Sequence, residues 1–174
     1  MKRIITLFFA LMLIGTTCFA GKAKVKVTSG STNCLKEAAA AIVEFDFSAT
    51  TWHEKENFKT WCGDQYDQRV EAIKAQFESS FNEKTKGMKI DNNAADAKYK
   101  IVVVIKDLDR MQAKWGNWGQ GTFLTKSVIT IYDKATNESL CEIVADEYGT
   151  GKDYDYKDGL GKCFKGLAEE IMKL

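Results

Sequence analysis

Two tryptophans stand close together in a glycine-rich segment, and indoles of this kind can bind sugars or protein partners. The segment places two indoles and two amides between glycines: Trp115, Asn117, Trp118 and Gln120. An indole stacks on a sugar ring or anchors a protein contact, and each adjoining glycine leaves the backbone free to turn the ring outward. We predict a ligand or partner contact at these four residues, with at least one indole exposed. The alternative is that both rings fold back and close the core.

The other residue types that could do chemistry do not form a recognisable catalytic set. His53 is the only histidine, so Ser-His-Asp or Cys-His catalysis would have to pass through it. It lies in the polar stretch Trp52 to Glu56, where no acid–base partner can be named, and no GxSxG frames a serine. The sequence predicts a loop histidine in a protein that is not an enzyme and carries no cofactor.

An acidic segment near the end of the chain has some features of a calcium loop. Counting from Asp153, however, Lys157 stands at position five, Gly159 at seven and Phe164 at twelve. A calcium loop needs an oxygen ligand at five, glycine at six and glutamate at twelve. We therefore predict no metal site there, and an acidic loop that leads into the last helix.

The first twenty residues have the pattern of a cleavable signal peptide. Lys2 and Arg3 precede the uncharged run Ile4 to Ile14, which is shorter than the roughly 20 residues that a spanning helix needs. Small residues at Cys18 and Ala20 suit cleavage before Gly21. We expect a periplasmic or secreted protein. Lipidation at Cys18 is the alternative, although the residues before it fit a lipobox poorly.

The chain from Gly21 onward is long enough for one domain, residues 21–174, and close to neutral. Removal of Lys2 and Arg3 leaves 23 basic and 24 acidic side chains. Because the two signs are interspersed, there is no basic stripe of the kind that binds nucleic acid. No second apolar run follows, so we predict no transmembrane segment.

Four cysteines remain after cleavage: Cys34, Cys62, Cys141 and Cys163. An even number in an exported chain favours disulfides. Sequence cannot choose among the three possible pairings, and the two sequence-local links, Cys34–Cys62 and Cys141–Cys163, are our preference. None of the four has the spacing of a zinc site. The alternative is buried thiols that pack as small apolar groups.

Hydrophobic patterning predicts the element order β-β-α-β-β-β-α. Apolar residues recur with helical spacing between Asp64 and about Lys86 and again from about Gly159 to Lys173, whereas Ala41 to Phe47, Tyr99 to Ile105 and Thr122 to Tyr132 read as strands. Asp64 is a plausible N-cap and Gly87 a plausible stop. We predict an α+β two-layer sandwich, with a mostly antiparallel sheet and two helices on one face. Six residues are predicted to share its core: Phe45, Ile73, Phe77, Val103, Ile131 and Leu167.

Three stretches resemble a loose group of Gram-negative envelope domains. They are "AIVEFDF" at 41–47, "ADAKYKIVVVI" at 95–105 and the hairpin "VITIYDKATNESLCE" at 128–142. The group includes the TolB amino-terminal domain and the lipoprotein activators of penicillin-binding proteins. The "KVTSG" at 26–30 also looks like the start of uncharacterised exported proteins. The resemblance implies non-enzymatic envelope work and transfers no catalytic residue.

Two functions follow as hypotheses. The first is a non-enzymatic interaction module of a bacterial envelope, whose partner is an unknown envelope protein or glycan. The second is a glycan- or small-ligand-binding protein that uses the loop of Trp115 and Trp118.

Overall fold

The structure is a computed structural model that describes residues 24–112, 121–149 and 156–174. The predicted signal peptide, the four predicted contact residues of the tryptophan loop and most of the predicted acidic loop lie outside these ranges. No helix within them is long and apolar enough to cross a membrane.

The described chain forms eight strands and four helices. The strands are β1 Val25–Gly30, β2 Ala40–Asp46, β3 Thr51–Trp52, β4 Glu56–Asn57, β5 Lys89–Ile90, β6 Tyr99–Gln112, β7 Gly121–Asp133 and β8 Ser139–Gly149. The helices are α1 Asn33–Lys36, α2 Phe58–Cys62, α3 Tyr66–Lys84 and α4 Tyr156–Ile171, with a 3-10 turn at Gly63–Gln65 between α2 and α3. The predicted α+β class is confirmed, and the additional elements are all short.

The main sheet has the strand order β1-β8-β7-β6-β2-β5. Neighbours in the run β1-β8-β7-β6 are antiparallel, and a short hairpin joins β7 to β8. β2 pairs with β6 in parallel, since the chain crosses over through α3 between them. β3 also pairs with β6 in parallel and turns back into β4, so a small β3–β4 hairpin sits beside the far half of β6.

The helix α3 buries the side that its spacing predicted. Val70, Ile73, Phe77 and Phe81 are all buried. The helix begins at Tyr66 rather than at Asp64, because Asn57 caps the preceding α2 through its side chain and the 3-10 turn follows. It ends at Lys84. Gly87 instead allows a close approach, since a Cβ there would lie 2.5 Å from the carbonyl oxygen of Leu35.

The helices α3 and α4 run parallel and pack closely on one face of the sheet. Gly161 of α4 lies against Ala72 and Gln76, where a Cβ would meet the Gln76 Cγ at 3.0 Å. At the other end, Ile171 and Lys84 line one groove.

Five of the six predicted core residues are fully buried in one cluster, and Phe45 is the exception. Phe45 is half-buried and packs edge-on against Phe77, with ring centroids 5.5 Å apart. It still contributes to the core, but from the rim.

The preferred sequence-local pairings, Cys34–Cys62 and Cys141–Cys163, do not fit the fold, because the partners lie far apart. Within the described residues all four cysteines carry thiols and are buried. Cys34 belongs to α1, which packs at the C-terminal end of α3, where Met88 N donates to Leu35 O at 3.1 Å. Cys62 precedes the N-terminal end of this 19-residue helix, which is about 28 Å long. Cys163 Sγ lies 3.5 Å from Tyr148 O, seven residues along β8 from Cys141 and thus about 20 Å away.

Candidate functional site

Two β-bulges lie side by side where β6, β7 and β8 meet the β3–β4 hairpin. In β6 the register shifts between Ile105 and Asp107, which makes Lys106 the extra residue. In β8 the register shifts opposite Lys126, so that Asp146 and Glu147 face a single residue of β7. Bulges re-aim side chains and are frequent next to functional sites. Because both bulges occur here, we take this part of the sheet as the candidate functional site.

The bulge in β6 changes the face to which its carboxylates point. Ile105 faces the helices and pairs with the buried Ser127. Without the extra residue, Asp107 would follow Ile105 onto that apolar face. With it, Asp107 pairs with Lys126 and Asp109 with Leu124, so both carboxylates point to the face away from the helices.

Three non-glycine residues with positive φ surround the same place. His53 has φ 56°, Glu54 has φ 55° and Glu147 has φ 50°. Residues with a Cβ rarely adopt this left-handed backbone, which costs about 1–3 kcal/mol and persists only where the surrounding structure enforces it. The fold therefore stores backbone strain around this position, and Asn137 in the β7–β8 turn is the remaining described case.

Asp107 fixes the strained turn. Asp107 is only 5% exposed. Its Oδ1 accepts one hydrogen bond from Thr51 Oγ1 at 2.5 Å and another from Glu54 N at 2.8 Å. Backbone N–H groups and hydroxyls that donate to a carboxylate offset the cost of burying it. Asp107 thus ties the β3–β4 hairpin to β6.

His53 acquires the acidic partner that the sequence could not name. Its Nδ1 lies against Asp109 Oδ1, both side chains are 40% exposed, and its ring packs edge-on against Trp52 at 4.7 Å between centroids. Its backbone N donates to Leu108 O at 2.9 Å. The imidazole is thereby held in one place at the rim of the site.

Lys126 lies between two glutamates. Its Nζ hydrogen-bonds to Glu54 Oε1 and lies 3.7 Å from Glu147 Oε1. The hydrogen bond from Lys126 lowers the pKa of Glu54, and the same bond raises the pKa of Lys126. The Glu54 carboxylate and the Lys126 ammonium are therefore both charged near neutral pH.

Together these residues line a cavity of about 90 Å³, which we call the acidic pocket: His53, Glu54, Asp107, Asp109, Leu124, Thr125, Lys126 and Glu147. Four carboxylates and one ammonium give it a formal charge of −3 when His53 is neutral. A cavity of this size holds a small head group and is far below the 300 Å³ of ordinary ligand pockets. Its charge favours a cation.

The pocket is not arranged as a metal centre. In the described parts of the chain, no group of three or more histidine, cysteine, aspartate or glutamate side chains is placed to hold a metal ion. Lys126 already occupies the space between Glu54 and Glu147.

Sequence reasoning missed most of this site. Trp115, Asn117, Trp118 and Gln120 lie outside the described residues, and their contact role stays a prediction. His53 was identified only as a loop residue. One signal was available: Asp107 and Asp109 in "KDLDR" alternate directly after an apolar strand, where a continuing strand would have buried them.

Comparisons with known proteins show distant likeness only. No family model and no curated protein sequence matches the chain, so the resemblance to TolB and to the lipoprotein activators is not confirmed.

Three solved structures share parts of the architecture. The PelC dodecamer from Paraburkholderia phytofirmans is 12% identical, with TM-score 0.46 over 85% of this chain and 95% of that one. Protein XCC0632 of Xanthomonas campestris, of family DUF330, is 8% identical, with TM-score 0.39 over 83% and 87%. The hypothetical protein CT253 of Chlamydia trachomatis is 9% identical, with TM-score 0.39 over 79% and 94%. Likeness at this level carries no functional argument.

Proposed function

We propose that this chain is an exported, non-enzymatic interaction module of a bacterial envelope, periplasmic or secreted, that holds a cationic group of its partner in the acidic pocket. The export half rests on the signal-peptide pattern of residues 1–20. The binding half rests on the pocket geometry.

The main support for cation binding is that strained backbone and negatively charged side chains surround the same cavity. Two bulges and three left-handed non-glycine residues surround one small cavity. Backbone strain of this kind clusters where a binding geometry has to be maintained. A hinge or a plain structural corner would not require four carboxylates around the same cavity.

The cationic group is best described as a primary ammonium, such as the tip of a lysine side chain. Asp109 and Glu147 stand at the rim, with side chains 40% and 61% exposed, respectively. Each offers carboxylate oxygen to an incoming N–H donor. Charge-assisted hydrogen bonds of this type are about twice as strong as neutral ones, and the cavity of about 90 Å³ admits such a group without the rest of a large ligand.

The absence of enzymatic activity is also a proposal, supported by the contacts of the histidine. Among the described residues, the His53 side chain contacts Asp109 and the Trp52 ring but no hydroxyl or thiol. A histidine–carboxylate pair without a nucleophile lacks the first member of a triad.

An NMR titration with butylammonium chloride, a mimic of the lysine side chain, tests the site. We expect saturable shifts at the amides of His53, Glu54 and Asp109. The affinity should fall at least tenfold when Asp109→Asn and Glu147→Gln are combined. Glu138→Gln, on the exposed β7–β8 turn, is the matched control and should bind like the unchanged chain.

Sodium pentanoate has the same butyl chain with the opposite charge and should produce no saturable shift. Equal affinity in the double variant would contradict the assignment of the pocket, and so would equal response to the two probes.

The second candidate is glycan binding by the loop that holds Trp115 and Trp118. The residues that flank this loop, Gln112 and Gly121, pair with each other in the β6–β7 ladder three positions beyond Asp109. A glycan array probed with the chain and with the Trp115→Ala, Trp118→Ala variant tests it. A signal that is lost in the double variant would support glycan binding. No signal from the unchanged chain would contradict it.

A further inference from the structure

The four cysteines lie at three places in the fold, and only Cys34 and Cys141 share one of them. Cys62 lies near the start of α3, with Sγ 3.9 Å from Arg69 Nη1. Cys163 lies under the far end of β8, beside Tyr148. Cys34 and Cys141 both lie at the opposite end of the molecule, where α1 meets the beginning of β8.

A short chain of contacts brings these two cysteines close together. Cys141 is the direct partner of Gly30 in the β1–β8 pairing. The next residue, Ser31, donates its N–H to Leu140 O at 3.0 Å, and Cys34 Sγ lies 3.7 Å from Ser31 O. The α1 turn therefore folds back over the strand position that holds Cys141.

Gly30 makes this approach possible. Its φ is +72°, and a Cβ on it would lie 1.9 Å from Leu140 O. A side chain at this position would push β1 and α1 away from β8. The chain thus uses a glycine at the point where the two cysteine-bearing segments come closest.

Both thiols are buried in the same cluster, Cys34 at 8% and Cys141 at 1% exposure. Burial, with a smaller contribution from the neighbouring Cys34, raises the pKa of Cys141 to about 11. Burial also raises the pKa of Cys34. The two sulfurs share one buried, low-dielectric space. Their proximity therefore points to a structural pairing.

We infer that Cys34 and Cys141 are joined by a disulfide when the chain meets a disulfide oxidant, and that Cys62 and Cys163 stay as thiols. The presence of such an oxidant around the protein rests on the proposed export, while the pairing itself rests on the fold alone.

The chemistry can be written with glutathione disulfide as the oxidant. The Cys34 thiolate attacks one sulfur of glutathione disulfide, which releases one glutathione thiolate and leaves a mixed disulfide on Cys34. The Cys141 thiolate then attacks the Cys34 sulfur and releases the second glutathione. Two protein thiols are oxidised, and one glutathione disulfide is reduced to two thiols.

The link would hold the edge strand β1 and the α1 turn onto β8. β1 pairs only with β8 and has no strand on its outer side among the described residues. Because the loop between positions 34 and 141 is long, the cross-link restricts the unfolded chain strongly. The oxidised form should unfold at a clearly higher urea concentration than the reduced form.

The test is a disulfide map of purified residues 21–174, which lack Cys18, refolded in a buffer of reduced and oxidised glutathione. Thiols are blocked with N-ethylmaleimide under denaturing conditions, and the peptides are analysed by mass spectrometry without reduction. We expect one cross-linked pair that contains Cys34 and Cys141, with Cys62 and Cys163 alkylated. The map needs neither export nor a partner, so its result is independent of the proposed function.

The variants are Cys34→Ser and Cys141→Ser, with Cys62→Ser and Cys163→Ser as matched controls. The first two should lose the cross-link and the difference in urea midpoint between oxidised and reduced forms, whereas both controls should retain them. Four alkylated thiols in the unmodified chain, or a cross-link that includes Cys62 or Cys163, would overturn the pairing.

Discussion

Replacement of Phe77 by alanine tests the packing of α3 on the sheet. Phe77 is fully buried, its ring meets Phe45 edge-on at 5.5 Å, and it stacks near Phe81 at 6.1 Å between centroids. Removing a buried phenylalanine side chain costs about 3–5 kcal/mol, which includes the cavity that remains. The rim position of Phe45 allows partial collapse into that space, so we expect a loss of about 4 kcal/mol rather than the upper limit.

Urea unfolding followed by circular dichroism measures this loss. With a slope of about 2 kcal/mol per molar urea, typical of small domains, the midpoint should fall by about 2 M at an unchanged slope. Glu71→Ala on the same helix is the control, because the Glu71 side chain is 72% exposed and its ion pair with Lys74 at 3.1 Å contributes less than about 1 kcal/mol. A loss below about 1 kcal/mol for Phe77→Ala would refute the assignment of the buried helix face.

Three further predictions concern the helix α4, the acidic pocket and cleavage of the signal peptide. Gly159→Ala would place a Cβ 2.1 Å from the buried Phe123 ring; we expect a loss of about 1–3 kcal/mol in urea unfolding, partly recovered when Phe123→Leu is added, and no recovery would mean that the clash lies elsewhere. The lowered pKa of Glu54 means that its ion pair with Lys126 stabilises the fold above the ordinary glutamate pKa, and that this contribution is lost as the pH falls through the folded value. A ¹³C carboxyl titration should place the Glu54 midpoint below 4.5, and Lys126→Ala should raise it; an unchanged midpoint in that variant would disprove the cause. Intact-mass measurement of the exported chain should give an N-terminus at Gly21, while an intact Met1 or a lipidated Cys18 would contradict cleavage there.

Local patterns in the sequence were sufficient for the long helices and strands and, away from the bulges, for the side of each that is buried. The spacing of Val70, Ile73, Phe77 and Phe81 defines one face of α3 in any fold that contains it, because 3.6 residues make a turn whatever the surroundings. The near-continuous apolar run from Tyr99 to Ile105 likewise identified a central strand. The predicted two-layer α+β arrangement follows from these faces, since each has to be covered by another element.

The period of two along a strand did not predict which side chains line the acidic pocket. A strand pattern assumes that the period of two continues, and an extra residue in one strand reverses it for every residue beyond. The bulge at Lys106 exists only relative to the register of β7, so no local window of the sequence reveals it. This is why Asp107 and Asp109, and with them the partner of His53, were not placed on the open face in advance.

The cysteines also show the difference between what the sequence reveals and what only the fold decides. Their number and the signal-peptide pattern can be read from the chain, but their pairing depends on which ends of α3 and β8 come together. Cys34 and Cys141 are separated by more than a hundred positions and meet only because β1 pairs with β8 and α1 folds back over that edge. Local periodicity fixes which way a side chain points within its element, whereas register and chain crossing, set by long-range packing, decide which side chains meet.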